Sequence, residues 1–452
     1  MTNFVETIAA QATAVGTAGV GIIRVSGPLV PQIISEMTGA LPNPRTAHFT
    51  PFRTPTGLIL DEGLVLYFKG PHSYTGEDVA EFQGHGGQIV LNSVLQCIIG
   101  HGARLARPGE FSERAFLNNK LDLTQAEAIA DLIAANSEQA ARAAMRSLQG
   151  EFSQIVHAVV NQLIALRMYV EAAMDFPDEE IDFITDQRVA DQLNAIHTQL
   201  ITLQRQAGQG VMLRDGIKLA IAGLPNVGKS SLLNRLTGED TAIVTPIEGT
   251  TRDVLKADIS IEGIAFQIVD TAGIRATDDI IEQEGIKRAE QEIAKADLLL
   301  LVVDHSKPID IDTQLAELIS DFASRQRLVI ARNKIDLTDT TPTTLEQDNV
   351  ISVLFSAKTG AGMNELKQAL LKTIGYHNAA EGTFTARSRH ILALASAFQH
   401  LEAGVQQLQK SQASDLLAEE LRLAQNALSE ITGEFRADDL LGKIFSTFCI
   451  GK

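Results

Sequence analysis

The chain has 452 residues, with 38 Lys and Arg against 56 Asp and Glu, a formal net charge of −18 at pH 7 and a pI near 5.0, which excludes nucleic-acid binding by bulk charge and confines any RNA contact to a local patch or a partner. Apolar residues make up 45%, aromatics 5% and Trp is absent; a mean hydropathy of +0.05 fits ordinary aliphatic globular cores, and the length suggests about three domains. No basic N-terminal region precedes an apolar run and no uninterrupted apolar stretch approaches membrane length, so neither a signal peptide nor membrane insertion is expected, while two distant cysteines, Cys97 and Cys449, make neither a disulfide framework nor a zinc site and point to a cytoplasmic protein with reduced thiols.

In chain order, residues 1–118 are punctuated by Gly and Pro around short strand-like runs at Val20–Val25, Gly63–Phe68 and Asp78–Phe82. They read as an α+β domain. Residues 119–215 are Ala-rich and Gly-poor from about Thr124, with apolar residues at i, i+3 and i+4, and read as all-α. Residues 216–378 have the texture of an α/β domain, and helical texture resumes over 379–452, as in Ile391–Ala395 and Leu416–Leu423. The expected architecture is therefore multidomain, with an all-α domain interrupted by an inserted α/β module.

The inserted module opens on Ile217–Ala222, an apolar strand, followed by Gly223-Leu224-Pro225-Asn226-Val227-Gly228-Lys229-Ser230. This is a G-x-x-x-x-G-K-S loop leading into a helix start at Ser231–Leu236. Glycines at 223 and 228 allow the loop N–H groups to turn inward on phosphates at a helix N-terminus. Lys229 can then meet the β- and γ-phosphates and the Ser230 hydroxyl can ligate Mg²⁺. Asp240–Gly249 is a long segment containing Thr245, Pro246, Ile247 and Glu248. It precedes Gly249-Thr250-Thr251-Arg252-Asp253, in which Thr251 is the candidate second Mg²⁺ ligand. The strand-like Ile264–Val269 leads into Asp270-Thr271-Ala272-Gly273, where Asp270 can reach Mg²⁺ through water and the Gly273 N–H can face the γ-phosphate. Leu328–Asp336 is a strand ending in Asn333-Lys334-Ile335-Asp336. A carboxylate there accepts guanine N1–H and N2–H, a donor pair adenine lacks. Ser356-Ala357-Lys358, after the strand-like Val350–Phe355, completes the base pocket. The order of these motifs resembles the translation-factor-related GTPases.

Two features depart from small signalling GTPases. Residue 274 is Ile, and an alkyl chain cannot orient the attacking water as a glutamine does there. Asn226 lies inside the phosphate loop, where its amide oxygen and the carbonyls of the long 240–249 segment can build a monovalent-cation site. A side chain that only hydrogen-bonds its own turn is the other reading of Asn226, and the chemistry leaves both open.

Outside these motifs stand Tyr74-Thr75-Gly76-Glu77-Asp78, Gln83-Gly84-His85-Gly86-Gly87, the run Ala106–Asn118 (A-R-P-G-E-F-S-E-R-A-F-L-N), Lys120–Leu123 and Phe448-Cys449-Ile450-Gly451-Lys452. On these the chain resembles, along its full length, the MnmE/TrmE family of tRNA-modification GTPases. The resemblance implies an N-terminal tetrahydrofolate-binding and dimerisation domain, a helical domain and an inserted P-loop GTPase. It implies a homodimer that works with the flavoprotein MnmG (GidA) on the wobble uridine of certain tRNAs. It also implies residue roles. Asn226, Thr245, Ile247 (by its carbonyl) and Thr250 match K⁺ ligands, and Ser230 and Thr251 match Mg²⁺ ligands. Glu282 matches the water-orienting glutamate, which answers the missing glutamine. Arg24, Glu81, Lys120 and Lys452 match contacts to a 5-formyl- or methylene-tetrahydrofolate. Cys449 is a candidate for the modification chemistry or a small packing residue. The competing expectation is a ribosome-assembly or signalling switch of the same GTPase lineage. That reading leaves the F-C-I-G-K segment without a use.

Overall fold

The computed structural model describes residues 6–175, 187–239, 256–270, 296–308, 327–347, 350–376, 383–411, 414–434, 438–449 and 451. The chain divides into two compact units, one of residues 1–133, 147–201 and 392–452, the other of 134–146 and 202–391.

The first unit begins with a six-stranded sheet. Its strands are β1 (Ile8–Gln11), β2 (Ala18–Ser26), β3 (His48–Arg53), β4 (Ile59–Phe68), β5 (Val79–Gly86) and β6 (Arg104–Leu105), in the order β3-β4-β5-β2-β1-β6. Alternation sets the two faces. Ile23, Val25, Phe52, Val65, Tyr67, Ala80 and Phe82 point inward to a core with α1 (Val30–Thr38) and α2 (Gln88–Gly100). Helix α1 supplies Val30, Ile33, Ile34 and Met37, the i, i+3, i+4, i+7 stripe of a half-buried helix. Arg24 and Glu81 are paired across β2 and β5 and face the other way. On that same outer face Phe49 of β3 and Leu64 of β4 are cross-strand partners, 67% and 37% exposed. The strands at Gly63 and Asp78 extend further than the sequence runs suggested. β4 starts at Ile59, and β5 continues to Gly86 because glycines at 84 and 86 let neighbouring strands come close.

Helices α3 (Glu110–Leu117), α4 (Leu123–Ala134), α6 (Glu151–Asp175), α11 (Ser414–Thr432) and α12 (Asp438–Ser446) belong wholly or almost wholly to this unit, which also takes the first part of α7 (Gln187–Asp215) and most of α10 (Ser388–Ser411). Helix α6 buries Phe152, Val156, Val159, Leu163, Leu166 and Val170, a continuous helical stripe, and packs along α11. Arg167 donates to Gln425 Oε1 at 2.9 Å across that contact. Phe445 and Phe448 close a small core with Phe116, Leu123, Leu441 and Ile444, with the Phe445 ring 6.3 Å from Phe116 and 5.3 Å from Phe448. A segment more than 300 residues downstream is thereby packed onto α3 and α4.

The second unit holds a seven-stranded sheet in the order β12-β13-β11-β10-β7-β9-β8. Its strands are β7 (Ile217–Ala222), β8 (Lys256–Ile261), β9 (Ile264–Asp270), β10 (Leu298–Asp304), β11 (Arg327–Asn333), β12 (Thr343–Gln347) and β13 (Val350–Leu354). The five central strands run parallel and the two edge strands antiparallel. Every residue of Leu298–Val303 is buried, as expected of a strand covered on both faces. Helix α8 (Lys229–Glu239) contributes Leu232 and Leu236 to the larger core, and α9 (Met363–Thr373) contributes Leu366 and Leu370. Helix α5 (Glu138–Leu148) adds Ala143, and its Gln139 accepts the Tyr376 hydroxyl at 2.9 Å. From β7 the chain goes to β8 and β9 on one side of the sheet and to β10, β11 and β13 on the other. That reversal opens a crevice at the carboxyl end of β7, the usual place for a ligand in such a sheet.

Phe445→Ala is expected to lower stability by about 3–5 kcal/mol, since it removes a buried ring from a small core. Hydrogen exchange should localise the loss to α12 and the α3–α4 junction. Uniform destabilisation of all helices would contradict this placement.

Candidate functional site

The loop after β7 sits in that crevice. A Cβ on Gly223, whose φ is +148°, would lie 2.2 Å from the Val302 carbonyl oxygen, and one on Gly228 (φ +102°) would lie 2.2 Å from Asn333 Nδ2. Only glycine fits these approaches, so the loop backbone stays tight against β10 and the Asn333 turn. Lys229 opens α8, and its Nζ donates to the Gly223 and Leu224 carbonyls at 2.6 and 3.0 Å. The ammonium is thus fixed over the loop, where a phosphate chain would need it. Ser230 and Ser231 follow in the first turn of α8. Asp270 ends β9 and pairs in register with Ile221, two residues before Gly223. Asn226 takes φ +64°. Left-handed backbone favours Asn over other side chains, so this geometry gives Asn226 a conformational reason to be there.

The far end of the crevice is built by Asn333. Its Nδ2 donates to the Val227 carbonyl at 2.8 Å, and its Oδ1 accepts from the Lys334 N–H at 2.8 Å and the Ala357 N–H at 2.9 Å. Ile335–Leu337 forms a single 3₁₀ turn carrying Asp336. The Ser356 hydroxyl donates to Asp336 Oδ1 at 2.7 Å. Arg235 of α8 donates to the carbonyls of Ala357 and Lys358 at 2.8 and 2.9 Å. The structure therefore brings together Val227, Gly228, Lys229, Asn333, Lys334, Ile335, Asp336, Ser356, Ala357 and Lys358. Asp304, at the end of β10, carries no sequence signal, yet its Oδ2 pairs with Lys334 Nζ at 2.7 Å. Burial raises its carboxyl pKa, but hydrogen bonds from Lys334 and Ser306 outweigh that and hold it below the ordinary aspartate range.

A second polar pocket lies on the outer face of the first sheet. Arg24 donates to Glu81 Oε1 through Nε at 3.1 Å and Nη2 at 2.9 Å. Its guanidinium lies over the rings of Tyr74 and Phe111, 5.4 and 5.9 Å from their centroids. Arg24 Nη1 also reaches the Gly451 carbonyl at 3.4 Å, and the Gly109 N–H reaches the Cys449 carbonyl at 3.4 Å. Lys120 Nζ donates to the Pro71 carbonyl at 3.0 Å. Cys449 is exposed. A cation paired with a carboxylate suits a flat polar ring that carries carboxylates.

Two domain families match the chain. Residues 123–449 match the MnmE helical domain, and residues 7–120 match the N-terminus of the GTP-binding protein TrmE. Proteins named tRNA modification GTPase MnmE are similar over nearly their whole length. That of Pseudomonas putida is 55% identical, that of Shewanella amazonensis 54% and that of Coxiella burnetii 52%, each alignment covering 99% of both chains. The chain belongs to the MnmE family. Among solved structures, the G domain of the T. maritima FeoB iron transporter aligns at 27% identity over 35% of this chain and 98% of its own, with a TM-score of 0.27. As a member of the MnmE family the chain is a GTP hydrolase, with a P-loop GTPase module beside a TrmE-type N-terminal domain and a helical domain. Thr245, Pro246, Ile247, Glu248, Gly249, Thr250, Thr251, Thr271, Ala272, Gly273, Glu282 and Lys452 lie outside the described residues.

The motifs that carried the MnmE resemblance fold into an ionic network. Arg114, 1% exposed, donates to Glu77 at 3.0 and 3.2 Å, to Glu110 Oε1 at 3.0 Å and to the Glu6 carbonyl at 3.0 Å. Glu110 also accepts two bonds from Arg104, at 2.6 and 2.8 Å, and the Arg107 N–H at 2.9 Å. Ser26 Oγ donates to Glu77 Oε2 at 2.6 Å, and Tyr74 OH lies 2.8 Å from Ser112 Oγ. Burial alone would raise the Glu110 carboxyl pKa. The Arg104 pair, the Arg107 N–H and Arg114 reverse it, taking the carboxyl to about 2.

A carboxyl depressed in the folded state stabilises it above the unfolded pKa, here 4.5, and that stabilisation is lost as pH falls toward about 2. The contribution is on the order of 3 kcal/mol at neutral pH. Acid titration of stability should therefore show a loss between these limits. Glu110→Gln should flatten it while lowering stability at pH 7, because it leaves two arginines underpaired. An unchanged acid limb in the variant would assign the loss to other carboxylates.

Proposed function

We propose that this chain is a K⁺-dependent GTP hydrolase that, with the flavoprotein MnmG (GidA), adds an aminomethyl or carboxymethylaminomethyl group at C5 of the wobble uridine, position 34, of certain tRNAs. The observation that supports this most directly is the presence, in one chain, of two sites of different chemistry. One is a guanine-nucleotide cradle built on Asn333. The other is the Arg24–Glu81 pocket, which residues of the F-C-I-G-K segment reach. A signalling or ribosome-assembly switch needs only the first.

In this reading GTP with Mg²⁺ supplies the phosphoanhydride that water cleaves to GDP and phosphate. Lys229 and the loop N–H groups neutralise the phosphates. Ser230 and Thr251 would hold Mg²⁺, Asp270 would reach it through water, and the Gly273 N–H would face the γ-phosphate. Asp336 would accept the guanine donors with its two oxygens, and the Ser356 hydroxyl steadies the carboxylate by donating to Oδ1. Glu282 orients the attacking water, the task Ile274 cannot perform. Asn226, Thr245, Ile247 and Thr250 would hold K⁺. Its charge would offset what develops on the phosphates in the transition state.

The N-terminal domain, residues 1–118, would take a 5-formyl- or methylene-tetrahydrofolate through Arg24, Glu81, Lys120 and Lys452. Cys449 is exposed beside that pocket and is the candidate for a part in the modification chemistry. The exposed Phe49–Leu64 pair on the same sheet face supports association of two copies through this domain. No helix among the described residues is long and apolar enough to cross a membrane, and a cytoplasmic enzyme is the corresponding proposal. The helical domain would comprise residues 119–215 and 379–452, with the GTPase at 216–378 inserted between them.

Nucleoside analysis of tRNA tests the reaction. A strain lacking the gene should lose the C5-modified wobble uridine, and the wild-type gene should restore it, whereas an Asp336→Asn gene should not. Full modification without the gene would overturn the proposal and favour a switch.

The cation role of Asn226 needs a variant that keeps its backbone. Asn226→Gly retains the left-handed conformation and removes only the amide. GTP hydrolysis by the wild type should be faster in K⁺ than in Na⁺ at equal ionic strength, and the Gly variant should lose most of that preference. A preserved K⁺ response would leave Asn226 with a purely conformational role.

A further inference from the structure

We propose that Asp304 is a positioning residue for guanine, acting through Lys334 on the aim of Asp336. The inference rests on the reading of Asp336 as the guanine acceptor.

Asp336 has one oxygen tied to the Ser356 hydroxyl. The direction of the other is set by the backbone of the short turn that carries it. That turn begins at Lys334, whose φ of +71° is left-handed and disfavoured for a long side chain. Something must keep Lys334 in that conformation. Its N–H is held by Asn333 Oδ1 and its carbonyl accepts the Leu337 N–H at 3.0 Å. Its side chain is held by Asp304 at 2.7 Å.

Asp304 is itself immobilised. Its side chain is 9% exposed, and its second oxygen accepts the Ser306 N–H at 3.1 Å and the Ser306 hydroxyl at 2.7 Å. The neighbouring His305 N–H donates to the Asn333 carbonyl at 2.8 Å. Residues 304–306 therefore grip both Asn333 and Lys334, the last pair of the β10–β11 register and the residue after it. The pairing also fixes what Lys334 is for. Its ammonium is neutralised by a largely buried carboxylate, which leaves the phosphates to Lys229 at the other end of the crevice. Both Asp304 oxygens are engaged by Lys334 and Ser306, and as an acceptor its carboxylate offers nothing to the phosphates.

The test uses the full chain and displacement of a fluorescent GDP analogue by GTP and by ITP, which keeps N1–H but lacks the exocyclic amine. Asp304→Ala should weaken GTP about tenfold and ITP less, so that the GTP-over-ITP preference falls severalfold. KM for GTP should rise more than kcat falls. Asp304→Asn keeps the shape and the Ser306 hydrogen bonds, and should show the same direction with a smaller effect, which serves if the Ala variant does not fold. In a Lys334→Met background Asp304→Ala should have little further effect, because the route through Lys334 is already gone. Equal weakening of GTP and ITP, or additive effects of the two substitutions, would reduce Asp304 to a structural residue and overturn the proposal. Asp336→Asn is the control for the underlying reading. If that variant still prefers GTP to XTP, the guanine assignment itself fails, whatever Asp304 does.

Discussion

The carboxamide of Asn333 is the contact on which the nucleotide crevice depends. It is 3% exposed and hydrogen-bonds to backbone groups of the loop at Val227, its own turn at Lys334 and the Ser356–Lys358 segment at Ala357. A buried amide is costly unless its partners are in place, so these three segments are stable only together. The phosphate end and the base end of the crevice thus form one hydrogen-bonded body. Gly228 is part of the same requirement, since a side chain there would occupy the space of the Asn333 amide.

The first unit solves a different problem. Its sheet has one face covered by α1 and α2 and the other face only partly covered, by Phe111, Tyr74 and Gly451. Arg24 and Glu81 sit where cover meets open surface. An ion pair at such a place is neither fully desolvated nor screened as a surface pair would be. The aromatic rings beside Arg24 restrict its rotamers, and the Arg114–Glu77–Glu110 network anchors the loop that carries Tyr74 and the helix that carries Phe111. The same physical means, charges held by several directed hydrogen bonds, stiffens both sites.

Much of this was legible in the sequence. The phosphate loop, the N-K-x-D turn and the S-A-K segment are local patterns, and strand periodicity fixed their contexts; β11 and β13 fall where the apolar runs place them. The helical stretches were visible for the same reason. Asp304 was not visible, because a lone carboxylate at a strand end has no pattern until β10 and β11 are aligned. Nor was the structural role of the A-R-P-G-E-F-S-E-R-A-F run, since no local pattern tells which of its charges are buried, as Arg114 and Glu110 are. Asn226 shows the converse: the sequence offered a cation ligand or a turn residue, and the backbone angle supplies a reason for the second without removing the first.

The contact between Arg24 and the Gly451 carbonyl spans 427 positions of sequence. A ribosome adding about 5–20 residues per second needs roughly 20–90 seconds to make that stretch. During that interval the first sheet can fold, but its Arg24 pocket lacks one of its walls. Completion of this pocket is therefore a late event of biosynthesis, reached only after the whole nucleotide-binding unit has been made. A nascent chain stalled after residue 391 but short of Gly451 would carry a fully encoded GTP crevice and an unfinished second site, so competence at the two sites is acquired in a fixed order.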